Sequence, residues 1–488
     1  MQHFLKHLRL FLILVVSLLL FLISCSKKKK ESSSTSFTCA SSRTLTATTK
    51  VPLLVVRVQY ANATFQSNET TWADKMFGTS DGQLNHYLDE TTYSNYQFMP
   101  VTESSGCAND GVVTVTMSGN HPDTQNYDDK RYDCYAAAAI TEADKYVKFA
   151  AYDTDSNDNL SVSELQVIFL VAGGESATGL NSPGGVWGAA SSLQCDADGD
   201  GSVRAEEGER WLTLDNVSLM GRKDSAYGQN GYSKFGERQG SSPSNNWDAT
   251  IGVMAHELGH AFFILPDLYD TSAIGSGIGY FGLMGSGSWG YKSLSEKSGA
   301  TPIHLSAWSK EKIGACVPQT VDNGTNNYTL PAVYQSSIHA ASCGIYKATT
   351  STNDEYFLFE NRSPGGYDEG LYLKILYGST DSIYLDNLYT GGVAIWHVKD
   401  ILSSCNNIST NNCEAQSPKL VDLEEANNGD LDNGSSKGRT THLFYIGNSV
   451  TFNNSSTPNS KLYDNSSSGI SATSISAARD SMTLTISK

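Results

Sequence analysis

The sequence predicts an α+β fold in which helices and strands alternate over residues 51–320 and short strands dominate 321–488. Three observations carry this prediction. The runs "VPLLVVRVQY" (51–60) and "LQVIFLVAGG" (165–174) are apolar, rich in β-branched residues and of strand length. "DCYAAAAITEADKYVKFAA" (133–151) and "NNWDATIGVMAHELGHAFF" (245–263) carry apolar residues at helical spacing. From about residue 327 the texture changes to "NYTLPAV", "EYFLFENR", "GVAIWHV", "THLFYIG" and "SMTLTIS", short strands separated by Gly, Asn and Ser.

Taken in chain order, residues 1–24 are a targeting segment outside the fold. Lys6 and Arg9 precede the apolar run "LFLILVVSLLLFLIS", which ends in "LISC". Leu22, Ile23 and Ser24 before Cys25 have the form of a bacterial lipobox, so Cys25 is the expected lipidation site; the alternative is an uncleaved membrane anchor. Residues 25–50 read as a solvated tether in which Lys27 to Lys30 face anionic lipid. The expected location is therefore the bacterial cell surface or outer membrane. The formal net charge of −17 excludes a nucleic-acid partner, because phosphate binding needs a basic face. Nine cysteines less Cys25 leave eight, an even number that in an exported chain predicts up to four disulfides, among them a short Cys405–Cys413 loop.

Within the mixed region, "DGQLNHYLDETTY" (81–93) is a predicted helix and "VVTVTMS" (112–118) a predicted strand. "DTDSNDNLSVSE" (153–164) then places Asp153, Asp155, Asn157 and Glu164 at positions 1, 3, 5 and 12 of an EF-hand-type loop, with Ser161 at 9. Position 6 is Asp158, where glycine is expected. "DADGDGSVRAEE" (196–207) places Asp196, Asp198, Asp200 and Glu207 likewise, with Gly201 at position 6. Oxygen ligands at alternate positions wrap a hard cation, so calcium is the expected occupant; the alternative is two acidic turns without metal. Strand-like sequence follows each loop, which implies structural calcium and not a helix-opening sensor.

The helix 245–263 is expected to start with Asn246 or Asp248 as N-cap, with Ile251, Ala255, Leu258 and Phe262 on one apolar stripe. His256 and His260, four apart, project side by side and can reach one zinc ion about 2 Å away. Glu257 is placed to take a proton from a metal-activated water. A catalytic zinc site needs a third protein ligand and an open position. Where a turn-making glycine and a third histidine would stand in one common version of the motif, this chain has Phe263 and Pro266. The remaining candidates are Asp267 and Asp270, and the sequence leaves that choice open, with Asp267 nearer the expected slot.

Several segments in order resemble the immune inhibitor A-like, or thuringilysin, family of secreted bacterial zinc metallopeptidases. They are "HELGHAFFILPDLYD" (256–270), "YFGLMGSGSWG" (280–290), "ATPIHLSAWSKEKIGAC" (300–316), "EYFLFENRSPGGYDEGL" (355–371) and "GGVAIWHVKD" (391–400). Upstream "VPLLVVRVQYANATF", "YDTDSNDNLSVSELQVIFLVAGG" and "GGVWG" agree too, so the resemblance covers about 51–488. It implies a metzincin-like catalytic domain with a β-rich C-terminal domain, His256 and His260 as zinc ligands, Glu257 as general base, and Met284 as the methionine beneath the metal. Two departures stand out: Phe263 replaces the helix-ending glycine, and Gly282 stands where the family has an aspartate.

Of the lesser candidates, His397 beside Trp396 reads as a satisfied strand histidine, and Tyr280 or Tyr291 as a packing residue that could otherwise stabilise an oxyanion. The sequence thus predicts a surface-tethered zinc endopeptidase with protein or peptide substrates held extended on a strand edge. The competing reading is a calcium-stabilised adhesin whose peptidase site has decayed.

Overall fold

The computed structural model describes residues 47–124, 132–191, 193, 195, 212–219, 231–270, 274–335, 343–352, 354–372, 389–400, 418–427 and 429–488. All of them lie in one compact unit, Cys39–Lys488. The order begins β1 (Thr49–Tyr60), α1 (Glu69–Phe77), α2 (Leu84–Thr91), β2 (Tyr96–Pro100), β3 (Val112–Met117) and α3 (Tyr132–Ala143). It continues through β4 (Asn159–Leu160), β5 (Gln166–Glu175), β6 (Gly185–Val186), β7 (Ala189–Ser191), β8 (Thr213–Leu214), β9 (Val217–Leu219), β10 (Tyr232–Ser242), β11 (Asn245–Asp248) and α4 (Ile251–Ala261). After α5 (Ala307–Lys312) come β12 (Gln319–Thr320), β13 (Thr325–Pro331), β14 (Tyr346–Thr349), β15 (Glu355–Asn361), β16 (Val393–Lys399), β17 (Val421–Leu423), β18 (Ser471–Thr473) and β19 (Ser481–Ser487).

An eight-stranded sheet carries the first part, in the order β11-β10-β5-β1-β2, with β3 on β1, β6 on β5 and β7 on β10. β1 pairs parallel with β2, β3 and β5, and β5 parallel with β10, whereas β7 and β11 run antiparallel to β10. Parallel strands of this kind are covered on both faces, which is why β1 carries the continuous apolar run Val51–Val56 before Arg57. Its alternate residues feed different cores: Leu53 and Val55 pack with α1, α2 and α4, while Leu54, Val56 and Val58 pack with α3.

A five-stranded sheet, β12-β14-β15-β16-β17, follows further along, antiparallel except for the β12–β14 pair, and it too feeds two cores. Leu358 and Trp396 share a core with Met254 and Leu258 of α4, and Phe357 and Ile395 face a third core with Leu330 and Ile486. The core behind α4 therefore draws side chains from both sides of residue 320. A mixed architecture of helices and sheets is what the sequence led us to expect, and the helices are few.

Four local expectations differ. The helix predicted over 81–93 spans Leu84–Thr91, and that over 133–151 divides into α3 and a 3₁₀ turn at Phe149–Tyr152. Residues 245–248 form an edge strand and not the start of the helix that carries His256 and His260, whose N-cap is Thr250 (φ −81°, ψ 168°). The reason is pairing across the strands: Arg238 Nε donates to Asn246 Oδ1 at 2.8 Å and its guanidinium forms an ion pair with Asp248, so neither candidate cap is at a helix end. The stretch "THLFYIG" (441–447) opens inside a 3₁₀ turn, Thr440–His442, and only Phe444 bridges to Val393. Among the described residues, no helix is long and apolar enough to cross a membrane. Cys25, Cys405, Cys413 and the 196–207 loop with Asp196, Asp198, Asp200 and Glu207 lie outside the described residues. The disulfides Cys134–Cys195 and Cys316–Cys343 are present, and Cys107 is also disulfide-bonded.

Candidate metal centre

All eleven residues of α4 are buried, so the helix bearing the two histidines is walled in on every side instead of along the one predicted stripe. His256 Nδ1 lies 3.0 Å from the carbonyl oxygen of Leu283, and His260 Nδ1 lies 2.6 Å from that of Leu265. A carbonyl only accepts, so each Nδ1 carries the proton and each Nε2 presents a lone pair. Those two Nε2 atoms stand 3.2 Å apart, and Asp267 Oδ1 is 3.0 Å from one and 3.1 Å from the other. Three acceptor atoms converging in a buried pocket repel one another unless a proton or a cation sits between them, and two imidazoles with a carboxylate are a donor set suited to zinc. Burial favours the neutral form of Asp267, but His260 and then His256 outweigh it and hold the carboxyl well below its usual range. Burial likewise works against the His260 cation, and Asp267 more than offsets it, so His260 is raised.

A family model for the immune inhibitor A peptidase M6 catalytic domain matches residues 45–317, more than half of the chain. The chain belongs to this M6 peptidase family. It is accordingly a metallopeptidase, a hydrolase of protein or peptide substrates that works with a metal cofactor. A search among curated proteins gave no match.

Of the two aspartates in the metallopeptidase that sequence reasoning left open, only Asp267 joins the histidines. Asp270 instead accepts the backbone N–H groups of Ile274 and Gly275 at 2.8 and 2.6 Å. What brings Asp267 round is the helix exit. Ile264 adopts a left-handed conformation (φ 58°), its N–H donating to His260 O at 3.2 Å and that of Leu265 to Gly259 O at 2.9 Å. Phe262 and Phe263, the bulk where a glycine was expected, pack edge-on against Tyr96, and Phe262 also against Phe98.

Met284 lies under the histidine helix against Gly259, and its carbonyl accepts the Leu268 N–H at 2.7 Å. Gly282 in the same turn is extended, and its carbonyl accepts from Gly285 and Gly287, so the turn is closed by backbone bonds without the aspartate. Neither the Phe263 nor the Gly282 departure disperses the trio. Glu257 is buried beside His256 but is not one of the three converging groups. Burial raises its carboxyl to about 8; His256 works against this, and Asp267 and Glu175 add to it. Tyr269, which the sequence reading passed over, stacks on the His256 ring at 6.1 Å. Its signal was present, an aromatic within the "LPDLYD" turn.

In the first acidic loop Asp153, Asp155 and Glu164 come together, with Asp158 at φ 60° supplying the turn that glycine usually makes. Asn157 donates its amide to Asp155 Oδ2 at 2.9 Å. Burial would raise Glu164, but hydrogen bonds from Ser161 and Thr154 bring it to about 2. A strand, not a helix, follows. A third cluster, Glu69, Cys107 and Asp110, is no ligand set, because a disulfide-bonded cysteine has no thiolate to offer. Tyr280 is buried, its N–H donates to Lys437 O at 2.7 Å, and burial raises its phenol. His397 is a buried strand histidine held by Glu355 and Glu424, away from the trio, and Trp396 donates to Glu360.

Proposed function

We propose that the protein is a zinc-dependent endopeptidase that cleaves protein substrates outside the cell, tethered through a lipid on Cys25, with a metzincin-like catalytic domain over 51–320 and a β-rich domain over 321–488. One observation carries the reading: His256 Nε2, His260 Nε2 and Asp267 Oδ1 converge within 3.2 Å, with both Nδ1 atoms turned to backbone carbonyls. His256, His260 and Asp267 would hold the zinc, whose positive charge supplies Lewis acidity toward a water and the scissile carbonyl. Glu257 takes the proton of the attacking water and passes it to the leaving amine. For the first step it must be ionised, and added positive charge beside it opposes the burial that raises it. Met284 braces the helix from below, and Asp153, Asp155, Asn157 and Glu164 would hold a structural calcium ion.

The test is metal analysis paired with a casein assay on wild type and Glu257→Gln. The reading requires about one tight zinc per chain in both proteins. Activity should be abolished by chelation and by the substitution. Full activity in Glu257→Gln would remove Glu257 from the mechanism, and calcium without zinc would favour a binding protein.

A further inference from the structure

Arg362 is fully buried, beyond the end of the segment that the family model matches. Its guanidinium forks onto Asp368, with Nε to Oδ2 and Nη2 to Oδ1, both 2.6 Å. The remaining nitrogen, Nη1, donates to the carbonyl of Phe281 at 2.5 Å and to Glu360 Oε1 at 3.2 Å. Asp368 Oδ1 also accepts the His304 N–H at 3.3 Å, and the carbonyl of His304 accepts the Leu283 N–H at 3.1 Å. One ion pair thus holds residues 281–283 twice, directly at the Phe281 carbonyl and through His304 at the Leu283 amide.

That short segment in turn serves both halves of the trio. The Leu283 carbonyl fixes the His256 ring at 3.0 Å, and the Met284 carbonyl fixes the Leu268 amide, next to Asp267, at 2.7 Å. Lys310 and Glu360, also fully buried and 3.6 Å apart, complete a set of two cations and two anions in which charge balances. Burying ions is a poor route to stability, since apolar side chains of like volume do as well or better. What a forked guanidinium supplies is direction.

We infer that Arg362, with Asp368, is a positioning residue of the metal centre: it sets the 281–284 turn and, through that turn, the His256 ring and the Asp267 loop. This rests on the reading of His256, His260 and Asp267 as the metal ligands. It follows that the catalytic segment is incomplete without the chain that carries residues 355–371.

The first test needs no variant. Backbone hydrogen exchange of the full chain is compared with and without added zinc. Coupling is reciprocal, so zinc should protect 362–368 and 304 as well as 264–270 and 281–284. Protection that stops at 284 overturns the inference. A chain that binds no zinc overturns the ligand reading instead. The second test uses Arg362→Lys, which keeps the charge and loses the fork, and Asp368→Asn. Loss of an outer partner of a ligand should weaken zinc binding by about 10–100-fold. kcat should fall while KM stays within about twofold, the pattern for an interaction that serves the transition state alone. A merely structural role predicts an equal loss of melting temperature with and without zinc, whereas positioning shrinks the zinc-induced rise. A folded variant with wild-type zinc affinity refutes the inference, and where a variant does not fold the exchange comparison decides.

Discussion

Met284 occupies the space that a side chain on Gly259 would need: a Cβ built there falls 2.4 Å from Sδ and 3.0 Å from Cε. Gly259 sits between Leu258 and His260, so the sulfur rests against bare helix backbone beneath the trio. In an ordinary helix interior, Gly→Ala gains about 1 kcal/mol. Here overpacking costs roughly 1–3 kcal/mol and should win. Gly259→Ala is expected to be less stable than wild type in chemical denaturation and to bind zinc more weakly. Adding Met284→Ala removes the collision, so the double variant should lose less than the sum of the two single losses. Strictly additive losses would show that the contact carries no energy.

The two aspartates of the "LPDLYD" turn are separable by substitution. Asp267→Asn leaves a neutral, weaker oxygen between the two imidazoles, and zinc affinity should fall by more than the roughly 100-fold expected for an outer partner. Asp270→Asn weakens bonds to the amides of Ile274 and Gly275, which is worth about 1 kcal/mol of stability. Its zinc affinity should match wild type. Isothermal titration of both variants checks this, and equal loss of zinc in the two would put the ligand assignment in error.

These cases show why part of the molecule is legible in its sequence and part is not. The strand β1 follows from a run buried on both faces, and His256 and His260 from a spacing of four residues; both are local. The place of Asp267 beside the two histidines depends on the left-handed turn at Ile264, a conformation that an Ile-Leu-Pro string does not announce. The start of α4 was misread because Asn246 and Asp248 have capping side chains, and only the fold reveals that Arg238 claims both. The 3₁₀ turn at Thr440–His442 hides inside an alternating pattern that serves strands equally well. Arg362 and Phe281 meet across many residues of chain, a pairing that no short-range pattern contains.

Ile264 stores strain that a pair of substitutions can expose. A left-handed conformation costs a side-chain-bearing residue about 1–2 kcal/mol, and glycine avoids that cost. Ile264→Ala and Ile264→Gly both lose the partly buried side chain, so comparing them isolates the backbone. Ile264→Gly should be the more stable of the two by about 1 kcal/mol, the reverse of the order within a helix. Denaturant midpoints read the difference, and an Ala variant equal to or above the Gly variant would mean that the exit is unstrained.

His397 makes stability depend on pH in alkaline solution. Its Nε2 meets Glu355 Oε1 at 2.9 Å, its Nδ1 meets Glu424 Oε1 at 3.1 Å, and Tyr463 stacks on the ring at 4.3 Å. Asp422 adds negative charge on the neighbouring strand, and Lys399 shares Glu355. Burial disfavours the imidazolium, but Glu355 and Glu424 outweigh it and raise His397 to about 9. The folded value lies above the unfolded one of about 6.5, so the contribution is complete below pH 6.5 and is lost as pH rises towards 9; fully expressed, it is worth about 3 kcal/mol. Burial also raises Glu424 and Asp422, whose loss of protons acts in the same direction. Urea unfolding of wild type and His397→Gln at pH 6.5, 7.5 and 9 isolates the histidine from the other titrating groups. The gap between the two proteins should be widest at pH 6.5 and close as pH rises, and a gap constant across that window would show that His397 does not carry the charge.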